Sequence, residues 1–546
     1  MAQIMYDKSQ AADVILKDKR FFIIDDYKEF RESMKRNIAA LGVKSVETSE
    51  DANEAISKIS RQPYDIILCD YNLGPGKKNG QQIFEELTYK KILGYSTMFF
   101  MVTAENTIRM VMSVMDYQPD GYLVKPFTTK DIVQRIKAAN EKKQLFANID
   151  KAIMRRDFAG AITLCDSLLK NNPKYILDIL KVKGEIYMTT CDYKNAGNLY
   201  TLVLNKHRLV WAVFNMGKVY FHMRKYPDAE KTFRELIEEN DMFVPAYDWL
   251  AKTLEETGDK KSAQSVLEDA VSKSPQAIFR QRALGNIAYS NKDFNTAEAS
   301  FNNALEIGKT SLFQDSSDYV HLAKVYVKKG DTGRALDMID EARGDFIGSD
   351  EIMLQTTLLE SSIYAYTQQY NKALDYLKEA EKISNNYDGK VPPELAIELS
   401  GAFIKAGEKE KGMEMMKLIV QNNHSDNSIL KKVQGTFDDL GMTDEGVAFV
   451  SNTKAEIIRV NNKGVELINK GMLTEAIDLF DKAADGMPSN FIINLNALRA
   501  IVGYLLKKGK DKNYTDRCEK YIERINVIEP NNIKFQQLVG RYRNIR

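Results

Sequence analysis

Four short apolar runs divide the first quarter of the chain, and each ends on a polar residue. Arg20-Phe-Phe-Ile-Ile leads to Asp25, Tyr64-Asp-Ile-Ile-Leu-Cys to Asp70, Met98-Phe-Phe-Met-Val to Thr103, and Gly121-Tyr-Leu-Val to Lys125. Short runs rich in β-branched and aromatic residues predict strands buried on both faces of a parallel sheet. Helical patterns fill the gaps, from Tyr27 to Leu41, Asp51 to Ser60, Gln81 to Lys91, Thr107 to Met115 and from Thr128 onward. Alternation of this kind predicts a doubly wound α/β sheet, whose ligands sit at the carboxyl ends of the strands.

The remaining three-quarters changes period. Small residues recur at Ala196, Ala229, Ala263 and Ala297, at spacings of 33, 34 and 34, then at Ala335 and Ala373 at spacings of 38. Four residues after them stand Tyr200, Phe233, Leu267, Phe301, Ile339 and Leu377. Twelve residues before them stand Gly184, Gly217, Ala251, Gly285, Ala323 and Ser361. A fixed period in this range predicts a repeat array, here two amphipathic helices per repeat with small residues where they cross. An upstream copy carries Ala161 and Pro173, and a downstream one Gly464, Leu467, Ala476, Phe480, Ala483 and Pro488. Weaker copies read at Ala402 to Ile419, with Gly412 in the alanine position, and at Ile429 to Val450; Phe491 to Tyr542 reads as a cap. Roughly nine to eleven repeats result.

The strand-end residues carry the chemistry. Asp25, Asp26 and Asp70 converge on one sheet edge, and three carboxylates repel one another unless a cation sits among them. Oxygen-rich sites suit Mg2+. A carboxylate beside it can attack phosphorus, while a lysine and a hydroxyl stabilise the charge on the phosphoryl oxygens.

With Asp25-Asp26, Asp70, Thr103-Ala104 and Lys125-Pro126 in this order, the first quarter resembles the receiver domain of bacterial response regulators, a flavodoxin/CheY-like fold. The resemblance implies that Asp70 is the phosphoacceptor, Asp26 a direct Mg2+ ligand and Asp25 a water-mediated one, with Asn72 giving its backbone carbonyl. It further implies that Lys125 contacts the phosphoryl group, that Thr103 and Tyr122 are the switch residues, and that Lys125-Pro126 is cis. The loop from Asp70 to Gly80 is slightly longer than the family's spacing, and Leu73 stands where methionine is common. A degenerate receiver that binds without being phosphorylated is the alternative, and no expected acid is missing.

The later pattern resembles the tetratricopeptide repeat, which implies a superhelical all-α solenoid that binds segments of other proteins in a groove. The expected division is a receiver at 1–141 and the repeats at 142–546. Two repeats present anchor-like residues at non-core positions of their first helices: Trp211, Phe214 and Phe221 in one, Phe279, Arg282, Asn286 and Tyr289 in the other. Aromatics and arginine are enriched at binding hot spots. The competing reading packs some of them on the preceding helix. From Phe127 to Arg156 there is neither proline nor glycine, so the last receiver helix either runs into the first repeat or breaks near Asn140 to Gln144.

Composition narrows the partners. Lys+Arg 77 against Asp+Glu 76 leaves a net charge of +1, which gives no argument for nucleic acid. The chain has no long apolar run, so a cytoplasmic location is expected. Cys69, Cys165, Cys191 and Cys518 make no metal spacing, and His207, His222, His321 and His424 all fall among the repeats. Two functions follow. In one, a sensor histidine kinase phosphorylates Asp70 and the array binds or releases a protein, without DNA and without an enzymatic output domain. In the other, the protein binds a kinase and damps phosphotransfer to another response regulator, an idea that the similar layout of receiver-plus-repeat regulators in Vibrio two-component systems raises. A homodimer stays open, since receivers dimerise through the face bearing Tyr122 and repeat arrays self-associate.

Overall fold

The computed structural model describes residues 16–546 except 75–76, 91, 94–96, 104–118, 310, 312, 388–390, 531, 544 and 546. The helix expected from Thr107 to Met115, and Ala104, lie outside the described residues. The polypeptide packs as two compact units, Met1–Gly330 and Asp331–Arg546.

In the first unit, five strands form a parallel sheet: β1 (Arg20–Ile24), β2 (Ser45–Ser49), β3 (Ile66–Asp70), β4 (Met98–Thr103) and β5 (Gly121–Val124). Their order is β2-β1-β3-β4-β5, the flavodoxin-like doubly wound arrangement. Helices α1 (Lys28–Ala39), α2 (Ala52–Arg61), α3 (Gly80–Tyr89) and α4 (Thr129–Met154) accompany them. Strand alternation divides the apolar residues between two faces. Phe22, Ile24, Ile67, Cys69, Phe99 and Met101 pack toward α2 and α3, whereas Phe21, Ile23, Leu68, Phe100, Val102 and Leu123 pack toward α1 and α4. The apolar runs do not reveal β2, whose Ser-Val-Glu-Thr-Ser is half-buried at the sheet edge and lacks a continuous apolar signal.

Helix α4 settles the junction, because it runs unbroken from Thr129 to Met154. Its amino end is fixed by a capping box between Thr128 and Asp131. Ile132 and Ile136 bury against the sheet, and Phe146 and Ile149 bury in the first helical cluster with Ala161, Cys165 and Ile179. One helix therefore belongs to two cores, and Lys143 ties its middle to Asp120 at 3.0 Å.

The helices that follow come in pairs whose spacing comes from one steric rule. A Cβ added to Gly217 would meet the Phe233 ring at 2.5 Å, and one at Gly285 would meet Phe301 at 2.7 Å. Gly184 stands in the same way against Tyr200, and in the second unit Gly464 against Phe480. Where the first helix carries Ala251 or Ser361, the residue sixteen later is the smaller Leu267 or Leu377. The volume at the crossing is thus shared between the two positions. Residues in the left-handed region close the turns between paired helices, including Cys191, Arg224, Gly258 and Lys292 in the first unit.

The second unit continues with helices 332–345, 350–366, 370–385, 393–405, 409–422, 427–439, 443–469, 473–486, 491–508, 512–528 and 533–543. The copy read from Ile429 to Val450 departs from the pattern, because its second helix does not end there. It continues through Asn469 as one 27-residue helix and becomes the first helix of the Gly464 copy. The final helices close over Ile501, Tyr521 and Phe535, all fully buried.

Gly217→Ala should destabilise the chain by about 1–3 kcal/mol, since the ring of Phe233 has no room to retreat. Combining it with Phe233→Leu should recover part of that loss in thermal unfolding; strictly additive effects would refute the shared-volume account.

Candidate phosphoacceptor site

At the carboxyl edge of the sheet, Asp25 follows β1, Asp70 ends β3, Thr103 ends β4 and Lys125 follows β5. The registers Asp70↔Val102 and Thr103↔Val124 set these ends side by side. Carboxylate oxygens of Asp25, Asp26 and Asp70 lie within 4.8 Å of one another, with Asp25 and Asp70 buried and Asp26 exposed. The Lys125 ammonium bridges the buried pair, donating to Asp25 Oδ2 at 2.6 Å and to Asp70 Oδ2 at 3.1 Å. It also lies 4.0 Å from the centre of the Phe30 ring. The Lys125-Pro126 peptide is cis.

Surrounding groups hold the acids in place. The Asp25 side chain accepts from the Tyr27 amide at 2.8 Å, and its backbone carbonyl accepts from Arg31 Nη1 at 2.6 Å. Arg31, itself buried, pairs with Glu50 at 2.7 Å. Neither Phe30 nor Arg31 stood out in the sequence, since an aromatic and an arginine on an amphipathic helix carry no distinctive spacing. Burial pushes the Asp70 carboxyl up to about 6; Lys125 opposes the shift and Asp25 adds to it. Tyr122, paired in register with Met101, is raised to about 12 by burial and stays protonated at neutral pH. Thr103 is buried, and its carbonyl accepts from the Lys125 amide at 2.7 Å. Asn72 is exposed, and its side chain accepts from the Gly74 amide at 3.1 Å.

The loop beyond Asp70 closes on α3 with no slack. A Cβ on Gly80 would lie 2.3 Å from the Asp70 carbonyl oxygen, so only glycine fits, and the Gly80 amide donates to the Tyr71 carbonyl at 2.8 Å. A capping box between Asn79 and Gln82 starts the helix there. The opposite face of α3 meets the repeats. Gln82 Nε2 donates to the Ile307 carbonyl at 3.5 Å, and the Tyr89 and Phe313 rings meet edge-on at 6.0 Å. Between them lies a cavity of about 720 Å³, lined by Gln81, Gln82 and Glu85 from α3 and by Trp249, Phe279 and Gln281 from the repeats.

The seven expected anchors separate into two kinds. Trp211, Phe214 and Phe221 are half-buried between neighbouring helices, against Tyr200, Phe243 and Trp249 respectively. Their rings build contacts between repeats, Trp211 on the preceding helix as the competing reading has it. Arg282 is likewise committed, pairing through two nitrogens with buried Asp318 at 2.8 and 2.7 Å. Phe279 is exposed and lines the cavity, Asn286 is exposed, and half-buried Tyr289 packs on Phe294. Trp249 was missed: it lines the cavity with lysine ammoniums of Lys218 and Lys252 at 5.1 and 5.0 Å from its ring.

The donor set fits a hard divalent cation. Three carboxylates against one ammonium leave a residual charge of −2, all on oxygen.

A carboxyl whose folded value is raised favours its protonated form in the native state. Its ionisation therefore removes stability as pH rises from the unfolded carboxyl range of about 4 through about 6, and the loss is complete above that. Asp70→Asn should accordingly raise stability at pH 7.5 by on the order of 1–3 kcal/mol in metal-free buffer, with the gain vanishing below about pH 4. Chemical denaturation at the two pH values checks this. A gain independent of pH would refute the burial of charge as its cause.

Comparison with known proteins agrees with this geometry. Residues 21–137 match the response regulator receiver domain, and residues 211–240 and 244–276 match the tetratricopeptide repeat. Chemotaxis protein CheY-3 of Vibrio cholerae is 23% identical over 123 residues, which cover 22% of this chain and 92% of that protein. Among solved structures, a tetratricopeptide repeat protein from Parabacteroides merdae is 15% identical, covering 45% of this chain and 94% of its own, with a TM-score of 0.31. The C-terminal part of a repeat protein from Cytophaga hutchinsonii is also 15% identical, covering 45% of this chain and 100% of its own, with a TM-score of 0.36. The chain therefore carries a response regulator receiver domain followed by tetratricopeptide repeats.

Proposed function

We propose that this protein is a two-component response regulator in which Asp70 accepts a phosphoryl group from a sensor histidine kinase and the repeats carry the output by binding protein. Receiver and repeats together support a regulator with a protein-interaction output. The observation that carries the finer reading is the Lys125 ammonium held between Asp25 and Asp70 beside the exposed Asp26. No described helix is long and apolar enough to cross a membrane; a cytoplasmic location is part of the proposal.

In the proposed reaction, an Asp70 carboxylate oxygen bonds to phosphorus as the donor's phosphorus–nitrogen bond breaks and the imidazole leaves. Asp25, Asp26, Asp70 and the Asn72 carbonyl would hold Mg2+, which when bound offsets the charge of the phosphoryl oxygens. Lys125 contributes a second positive charge and orients the acceptor oxygen it already contacts. Thr103 offers a hydroxyl to the new phosphoryl group, and Tyr122 is the aromatic positioned to change rotamer with it. The signal has a physical route outward, because the Asp70 carbonyl is packed on Gly80, the first residue of α3, and α3 touches the repeats through Gln82 and Tyr89. The output is read as binding rather than catalysis, and as independent of DNA.

Incubation with acetyl phosphate and Mg2+ should label the wild type through an acid-stable, hydroxylamine-labile bond, and Asp70→Ala should abolish it. Label that survives Asp70→Ala would move the acceptor elsewhere. Lys125→Ala should slow labelling by about tenfold or more, in line with loss of one charged contact to the transferred group. Hydrogen exchange in residues 80–89 should rise on phosphorylation of the wild type only; an unchanged α3 would remove it from the signal route. Inhibition of kinase-to-regulator phosphotransfer by the Asp70→Ala chain would instead favour the competitor function.

A further inference from the structure

Helices 491–508 and 533–543 of the second unit enclose a groove that the phosphoacceptor site does not involve. Its cavity, about 790 Å³, has a floor of Phe491, Ile492, Leu495 and Leu538 and a rim bearing Arg499, Lys534 and Arg541. All three cations are exposed. Among the described residues none of their side chains has an ion-pair or hydrogen-bond partner. The helix between them behaves differently, since Arg517 pairs with Asp481 at 2.8 Å and Lys520 with Asp485 at 2.9 Å. The segment is also electrostatically distinct. Residues 491–546 hold twelve Lys and Arg against five Asp and Glu, a charge of +7, so a chain of net +1 carries −6 over the preceding residues.

We propose that this groove receives an acidic amphipathic helix of a partner protein, an assignment that rests on the repeats being the binding output but not on phosphorylation. Apolar residues at helical spacing would lie on the floor, and carboxylates would meet Arg499, Lys534 and Arg541. The local surplus of positive charge would steer such a helix toward the groove. The floor argues against a nucleic acid strand: three of its four side chains are aliphatic, offering no ring on which a base could stack and no charge to a phosphate.

The test uses the full chain without phosphodonor and a fluorescein-labelled peptide of about 15 residues, long enough to form a helix on binding. It carries Leu and Phe on one face and Glu and Asp on the other, and binding is followed by anisotropy. Saturable binding should weaken as ionic strength rises from about 0.05 to 0.5 M. The combined variant Arg499→Glu, Lys534→Glu, Arg541→Glu should bind about tenfold more weakly or worse, with thermal unfolding unchanged because the three side chains are exposed. A variant with the same charge change outside the groove, Lys507→Glu, Lys508→Glu, Lys512→Glu, should stay within about threefold of the wild type. Equal loss in both variants would overturn the groove assignment, as would equally tight binding of a peptide with lysine in place of its acids, or no binding. Tighter binding of single-stranded DNA than of the peptide would replace the proposed partner. Any of these failures with Asp70 labelling intact leaves the phosphoacceptor reading standing.

Discussion

Electrostatic repulsion among Asp25, Asp26 and Asp70 is the constraint around which the receiver domain is built. Two of these carboxylates are buried, and burying like charges together is unfavourable unless an opposite charge is fixed between them. The protein supplies one such charge permanently, Lys125, delivered by the end of β5 and held over Phe30. One ammonium does not balance three acids. The remainder is a standing preference for a further cation, and an Asp70 carboxyl whose proton affinity is already raised by burial. The sheet order puts β1, β3, β4 and β5 next to one another, so every participant reaches the site from the end of a rigid strand.

The repeats answer to a different constraint, close packing. Gly184, Gly217, Gly285 and Gly464 each face an aromatic ring at a distance that admits no side chain, while the Ala251 and Ser361 repeats use leucine instead. A rule that trades volume between two positions sixteen residues apart explains why the array keeps its helix spacing while its surface residues vary. It also explains why aromatics at anchor-like positions pack between repeats. In an array where rings fill the crossings, an additional Trp211 or Phe214 on a first helix finds neighbouring rings before it finds a partner.

What the sequence made legible follows from how local each signal is. The four apolar strands and their terminal Asp25, Asp70, Thr103 and Lys125 were readable because a continuous apolar run ending on a polar residue is a local pattern. β2 was not, because an edge strand with one solvated face has a composition that a loop also has. The small residues of the repeats were readable from their period, but the 27-residue helix 443–469 was not, since nothing at Asn461 or Asn462 marks where one copy should stop. Phe30, Arg31 and Trp249 escaped because their importance lies in what surrounds them in space. The pairing of Arg282 was hidden for the same reason, its partner Asp318 standing 36 residues away.

The magnitudes of the contacts around α3 limit how the proposed switch can work. Among the contacts between α3 and the repeats, the long hydrogen bond from Gln82 and the edge-on ring pair at Tyr89 are together worth about 1–3 kcal/mol. Losing both would shift an equilibrium between α3 docked on the repeats and α3 released from them by about 5- to 150-fold. In the proposed switch, a new phosphoryl charge beside Lys125 would supply the push toward the released state. Helix α4 cannot respond in the same way. It is buried in the sheet core at Ile132 and Ile136 and in the helical core at Phe146 and Ile149, so moving it would open both. In the proposed switch the two connections take opposite parts: α4 is the fixed shaft joining receiver to repeats, and α3 is the contact that phosphorylation of Asp70 would lift.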